Sequence, residues 1–373
     1  GAPCPNLDAW AMEPAQILAL AVTDGLRVVE GAMGLFDAAP DGQGATADLA
    51  RILGLPVILV IDACRMAQSV APLALGFAHH DPQVQVAGVI LNRVGSDRHE
   101  AMLRAALDDV GITVLGALPR TAALATPSRH LGLKQAEEHE DLAQFLDQAA
   151  LLASQHIDLD ALMRLAAPIS SPAKLPAGIR PPAQRIAIAR DRAFSFVYPH
   201  LLQDWWTAGA EISFFSPLAD EPPPPTDLIY LPGGYPELHA GQLSACNTFL
   251  SAARKAAMST AIYGECGGYM VLGSALIDVD GKAHEMLGLL DLETSFAARQ
   301  LHLGYRRLQP LGGVFTAPLK GHEFHYATTL RAKGQPLFSA QDAVGTGLPA
   351  MGLRHGNVSG SFAHVIAPAP VRD

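Results

Sequence analysis

Along the first half of the chain, short apolar runs alternate with longer amphipathic stretches, the pattern of a parallel sheet with helices on both faces. Strands are predicted at Arg27–Glu30, Val57–Ile61, Val86–Leu91 and Thr113–Leu115, and helices over Met66–Ala78, Arg98–Val110 and Glu138–Ala153. In such sheets ligands bind beyond the carboxyl ends of the strands. Polar residues fall there: Glu30, Asp62 and the pair Asn92-Arg93.

The pattern then breaks. From Pro168 to Pro182 there are five prolines and a glycine, which preclude regular structure and read as a semi-extended linker. The chain is therefore expected to divide into a domain at 1–166, a linker at 167–183 and a second domain at 184–373. In that second part, strands are predicted at Arg185–Ala189, from Asp227 to Leu231 and at Ser259–Tyr263, with the proline run from Pro222 to Pro225 in a loop between strands. No internal repeat is present.

The stretch Gly264-Glu265-Cys266-Gly267-Gly268-Tyr269-Met270 places one cysteine where an apolar strand turns into a helix predicted over Tyr269–Leu276. Glycines on both sides permit a tight, strained turn that exposes the thiol. A thiol at a helix N-terminus meets the positive end of the dipole, which favours the thiolate. A lone cysteine is more often a buried structural residue; the glycine-flanked turn reverses that reading here. The glycine pair Gly233-Gly234, just after a predicted strand, offers backbone N–H groups that, with the N–H of Gly267, would stabilise an oxyanion. His364, close to the C-terminus and after an apolar segment, is the candidate general base. Cys4, Cys64 and Cys246 read as core or loop thiols.

Composition narrows the class. A chain of 373 residues with 49% hydrophobic residues supports two cores. The formal charge is −10 with a pI near 5.7, and no basic stripe interleaved with aromatics is present, so nucleic acid is not an expected partner. The longest apolar runs are too short to span a bilayer. The four cysteines form no Cys-x-x-Cys pair, so a reducing cytoplasm is expected. A homodimer is left open.

The order Gly-Gly-Tyr-Pro-Glu237, Gly-Glu-Cys266-Gly-Gly-Tyr-Met, then Ser-Phe-Ala-His364 resembles a class I glutamine amidotransferase domain of the corrin-amidating type. The resemblance implies a flavodoxin-like domain that hydrolyses glutamine through a cysteine thioester and releases ammonia. Class I members usually carry a glutamate two residues after the histidine to orient it. Here that position is Ile366, as in the corrin-amidating branch, and what orients His364 is left unassigned.

In the first half, the loop Glu30-Gly-Ala-Met-Gly-Leu-Phe-Asp37 sets two carboxylates around glycines, suited to Mg²⁺ near nucleotide phosphates or to a substrate carboxylate; a loop whose Asp caps a helix is the plainer reading. With Asn6-Leu-Asp-Ala-Trp10, Asp62, the segment from Gly88 to Ser96 and that from Pro127 to Leu133, it resembles the synthetase domain of cobyrinate or hydrogenobyrinate a,c-diamide synthases. That domain is a P-loop-type parallel-sheet fold related to dethiobiotin synthetase. The resemblance spans essentially the whole chain. It implies ATP- and glutamine-dependent amidation of the a and c carboxylates of hydrogenobyrinate or cobyrinate, a step of cobalamin biosynthesis. ATP would form an acyl phosphate that ammonia attacks, with Mg²⁺ held by Glu30 together with Asp37, and Asn92 at an adenine-recognition position. Asn92 reads equally well as a turn residue. The motifs do not choose between the cobalt-containing and metal-free ring.

The cluster Gly321-His322-Glu323-Phe324-His325 is not a zinc-protease motif. Those proteins place two histidines four apart on a helix, whereas His322 and His325 are three apart in extended chain and point to opposite sides. His322 or Glu323 is expected to meet substrate or to serve structure; His99, His130 and His302 receive no role. Alternatives to the main reading are a nickel-sirohydrochlorin a,c-diamide synthase, a free cysteine hydrolase, and a non-catalytic nucleotide-switch or partner-binding protein. The last is suggested by the absence of any Gly-x-x-x-x-Gly-Lys-Ser/Thr stretch. The resemblance places that stretch upstream of Asn6, so the expectation is a chain truncated before it. Without its backbone N–H groups and lysine, ATP phosphates have no cradle. Isothermal titration of the 373-residue chain with MgATP is expected to show no micromolar binding.

Overall fold

The structure is a computed structural model that describes residues 4–122, 124–125, 128–129, 132–133, 136–138, 141–174 and 177–369. Pro127 and His130, from the sequence reading, lie outside the described residues, as do parts of the predicted helix at 138–153 and of the linker. The chain forms two compact units. One gathers the segments Ile17–Asp37 and Ala45–Ala173; the other joins the segment ending at Gln16, the short stretch Ala38–Gly44 and everything from Lys174 onward.

The first of these units is built on three parallel strands, β1 (Val57–Asp62), β2 (Val86–Val94) and β3 (Val114–Pro119), in the order β1-β2-β3. Helix α1 (Thr46–Leu53) precedes them, and α2 (Val70–His80), α3 (Asp97–Asp108) and α4 (Leu142–His156) connect or follow them. Val70, Ala71 and Ala74 of α2 and Leu103, Ala106 and Leu107 of α3 close over Ile61, Val89, Leu91 and Ala117 in one core. Ser96 caps α3 by accepting the His99 N–H at 3.2 Å. The strand predicted at Arg27–Glu30 does not form: that segment is irregular, and Val28 is 85% exposed. A two-valine run without a neighbouring strand has no ladder to satisfy its backbone groups.

The other unit carries β4 (Arg185–Ala189), β5 (Glu211–Phe215), β6 (Leu228–Leu231), β7 (Ala261–Glu265), β8 (His302–Pro310), β9 (Leu319–His325), β10 (Phe338–Gln341), β11 (Gly347–Met351), β12 (Leu353–His355), β13 (Val358–Ser361) and β14 (Ala363–Pro368). Its main sheet has the order β12-β13-β7-β6-β4-β5, parallel except for the edge strand β12. A second, antiparallel sheet has the order β11-β10-β8-β9-β14. A four-stranded sheet of Ala275–Ile277, Ala283–Glu285, Asp291–Ser295 and Thr328–Lys333 completes it. Helices α5 (Pro199–Thr207), α6 (Asn247–Ala256) and α7 (Gly267–Leu272) belong to the same unit. The helix predicted over Tyr269–Leu276 is thus shorter, and Ala275–Ile277 is a strand.

Strand periodicity sorts the cores. Ile186, Ile188, Leu228, Tyr230 and Tyr263 face the antiparallel sheet, sharing a core with Leu308, Leu319, Phe338 and Val365. Their neighbours Ala187, Ala189, Ile229, Leu231 and Ile262 face the other way, with Phe249, Leu250 and Ala253 of α6. From Ala166 to Gln184 the described residues hold no helix or strand.

The segment ending at Gln16 is anchored by Trp10, only 2% exposed. Its ring stacks on Tyr305 of β8 at 4.4 Å, its Nε1–H donates to Asp41 at 3.0 Å, and its carbonyl accepts from Lys320 Nζ at 3.0 Å. Asp8 holds the turn by accepting the Trp10 and Ala11 N–H groups. Replacing Trp10 by alanine is expected to destabilise this unit by about 3–5 kcal/mol through lost burial and the cavity left behind, measured as a lower urea midpoint.

Candidate active site

Strand β7 ends at Glu265 in the middle of the parallel sheet, and the chain turns at once into α7. The turning residue, Cys266, has φ 49° and ψ −104°, a conformation that a residue with a side chain adopts at a cost of about 1–3 kcal/mol. The surroundings enforce it. The Cys266 N–H donates to Ser361 O at 2.8 Å, its carbonyl accepts from Met270 N–H at 3.2 Å, and Gly268 N–H donates to Pro232 O at 3.0 Å. A Cβ on Gly268 would overlap the Leu231 carbonyl, so only glycine lets α7 lie this close to β6.

The end of β6 delivers Gly233 and Gly234 to the same place. A Cβ built on Gly233 would overlap His364 Cε1 and stand 3.3 Å from both His364 Nε2 and Cys266 Cβ; one on Gly267 would be 3.0 Å from Gly234 N. The five residues singled out in this half of the sequence, Cys266, His364, Gly233, Gly234 and Gly267, therefore converge.

His364 arrives from a different sheet. Strand β13 ends at Ser361 and β14 starts at Ala363, so the chain changes sheets across Phe362. The His364 imidazole lies beside Cys266, and its Nδ1 lies 3.2 Å from Glu265 Oε1. Burial alone would push this imidazole down, but Cys266 and then Glu265 outweigh burial and raise it to about 10. Glu265 is itself 1% exposed; its Oε2 accepts the Val365 N–H at 3.1 Å and the Tyr263 hydroxyl at 3.4 Å. Ile366 takes no comparable part: its carbonyl accepts from His200 Nε2 at 2.8 Å. On the other side, His322 of β9, the register partner of His364, places its ring 5.2 Å away, with Tyr198 Oη 3.3 Å from its Nδ1. Burial, then the charges of His364 and Arg306, lower His322 to about 3, so it is neutral at physiological pH. Sequence reasoning missed Glu265 and Tyr198; a carboxylate closing an apolar strand was the available signal for the first.

Glu30, Asp37 and Asn92 belong to the other unit. Glu30 and Asp37 are exposed on an irregular loop that Leu35 pins to α1, its carbonyl accepting the Ala47 N–H at 2.8 Å. Among the described residues neither joins a group of three or more converging ligand side chains. Exposed carboxylates are nonetheless the hard oxygen donors that Mg²⁺ takes one or two at a time beside water and phosphate. Asn92 ends its pairing with β1 opposite Asp62, and its Oδ1 accepts the N–H of Arg93, which adopts φ 61°.

His302, Glu323 and His325 bring potential ligand atoms within 4.8 Å of one another. The set is already closed. Arg306 binds Glu323 Oε2 at 2.7 Å, His325 Nε2 lies 2.9 Å from Oε1, and the His302 and His325 rings stack at 4.6 Å with an 11° tilt. Parallel rings aim their nitrogen lone pairs side by side rather than at one ion.

Residues 185–370 match the family described as CobB/CobQ-like glutamine amidotransferase domain, and residues 5–128 match an AAA domain family. A hydrogenobyrinate a,c-diamide synthase from Brucella anthropi is 56% identical, the match covering 98% of this chain and 86% of that protein. One from Brucella suis is also 56% identical over the same shares, and one from Rhizobium meliloti is 54% identical over 98% and 87%. With this identity along nearly all of its length, the chain belongs to the hydrogenobyrinate a,c-diamide synthase family.

Proposed function

We propose that the protein amidates the a and c side-chain carboxylates of hydrogenobyrinate, using ATP for activation and glutamine as the nitrogen source. The identity to relatives that bear this name supports the substrate, and one observation carries the glutamine half: Cys266, held buried at a strained backbone turn, lies beside the His364 ring. In that half, Cys266 Sγ, its proton already passed to His364, attacks the glutamine side-chain carbonyl. The N–H groups of Gly233, Gly234 and Gly267 face the oxyanion. The C–N bond breaks, His364 returns the proton to the leaving nitrogen as ammonia departs, and a thioester remains. Water, deprotonated by His364, then hydrolyses the thioester to glutamate and restores the thiol.

In the synthetase half, a neutralised carboxylate needs a leaving group before ammonia can displace it. Transfer of the ATP γ-phosphoryl group to a carboxylate oxygen releases ADP, and attack by ammonia on the acyl phosphate expels inorganic phosphate and leaves an amide. Glu30, with Asp37 beside it in the same loop, would hold Mg²⁺, which offsets charge on the phosphates. Asn92, two residues before the end of β2, is the residue assigned to nucleotide recognition. A substrate set of ATP, glutamine and a biosynthetic intermediate supports a cytoplasmic setting.

Two outcomes test this reading. In the 373-residue chain, Cys266→Ala is expected to lower glutamine hydrolysis by more than about 10⁴-fold. Under conditions where the parent amidates hydrogenobyrinate, the same variant should still do so from free ammonia but not from glutamine, read by mass spectrometry of the corrin. Persistent glutamine turnover in the alanine variant would remove Cys266 from the mechanism. Gly233→Ala puts a methyl group against the His364 ring, and a displacement of that size is expected to lower glutamine hydrolysis by roughly 10²-fold with folding intact. Unchanged turnover with an unchanged melting temperature would show that the glycine is not needed for the site.

A further inference from the structure

Class I sites orient the histidine with a glutamate two positions later, and here that position, Ile366, contributes a carbonyl to His200 and a buried side chain. We propose that Glu265, the residue immediately before the nucleophile, is the positioning residue of the site, holding His364 by Nδ1 so that Nε2 is left for the Cys266 sulfur. The inference rests on the glutamine-hydrolysing role of Cys266 and His364 and deepens it.

Four observations carry it. First, Glu265 and Cys266 are adjacent in sequence, so the turn that presents the thiol also fixes the carboxylate: Glu265 is still in the ladder, opposite Ser361, whose carbonyl binds the Cys266 N–H. Second, the two oxygens have separate duties. Oε2 is taken by the Val365 N–H and the Tyr263 hydroxyl, while Oε1 has no hydrogen-bond donor in line and faces His364 Nδ1 at 3.2 Å. Third, a carboxylate 1% exposed needs a counter-charge, because an unpaired buried charge costs several kcal/mol. Among the described residues no lysine or arginine pairs with it, and the paired cation is the His364 imidazolium. Fourth, the Val365 N–H belongs to the residue after His364, so Glu265 grips the histidine's strand by its backbone and its ring together. The remaining ionisable groups around His364 are Cys266, the neutral His322 with Arg306 beyond it, and Tyr198; Tyr230 and Tyr263 flank Glu265 and are held protonated by burial and by its charge.

The His364 Nδ1–Glu265 Oε1 contact of 3.2 Å puts the ring nitrogen within reach of the carboxylate. An aligned carboxylate both selects the tautomer and favours the imidazolium that balances the thiolate.

The test uses Glu265→Gln and Glu265→Asp with two readouts. One is the kcat and KM of glutamine hydrolysis. The other is the pH dependence of Cys266 alkylation by iodoacetamide, read by mass spectrometry on the Cys266 peptide; it needs no glutamine. Glu265→Gln is expected to lower kcat by about 10⁴-fold, as removal of the third member of comparable triads does, with little change in KM. Without the carboxylate His364 is less basic, less thiolate–imidazolium pair forms at a given pH, and the alkylation midpoint moves to higher pH. Glu265→Asp, which keeps the charge but withdraws it by one methylene, should fall between. An alkylation profile identical to the parent in both variants would overturn the proposal, as would a rise in KM with kcat untouched. Should Glu265→Gln not fold, the aspartate profile decides alone, its shift supporting the proposal and its absence overturning it. A parent protein that alkylates at Cys266 but hydrolyses no glutamine would strike the functional reading, while the alkylation shift would still report on positioning.

Discussion

The backbone angle at Cys266 is the constraint on which the glutamine site depends. A side-chain-bearing residue stays at φ 49° only where its neighbours leave no alternative, and here they are a glycine backbone lying on the Leu231 carbonyl and a ladder bond to Ser361. Relaxing the turn would lower strain locally, but it would break that ladder bond and pull α7 off β6. The packing of the parallel sheet therefore holds the thiol in position before any substrate arrives.

The histidine is placed by a second device, the change of sheet across Phe362. Side chains alternate along a strand, so one residue more or less in this crossing would swing His364 to the opposite face. The Phe362 ring stacks on His325 at 3.8 Å and meets Tyr269 edge-on at 5.2 Å, which fixes the crossing between both sheets. His325 is in turn held by Glu323 and Arg306. The histidine-rich segment that invites a metal interpretation thus braces the crossing.

Legibility from sequence followed the range of the interactions involved. Strands β1 to β3, and the turn at Cys266, are written in contiguous residues, apolar runs and flanking glycines, and were readable. Arg27–Glu30 has the composition of a strand but no partner, and pairing is not a local property. The role of Glu265 is also non-local: next to a catalytic cysteine it reads as one more polar residue of a turn, and its meaning comes from Val365, one hundred positions later. The proline-rich stretch marks where regular structure stops, yet it says nothing of Trp10 or Asp41, whose attachment to β8 and β9 depends on residues some three hundred positions away.

That attachment bears on how the protein can be dissected. The chain passes between its two units four times, at Gln16/Ile17, Asp37/Ala38, Gly44/Ala45 and Ala173/Lys174, so the units are not successive beads on a string. A scissor cut in the linker would release a carboxy-terminal fragment stripped of Trp10 and Asp41, leaving the Tyr305 ring bare and the Lys320 amine without its acceptor. Such a fragment would be a poor stand-in for a free-living amidotransferase.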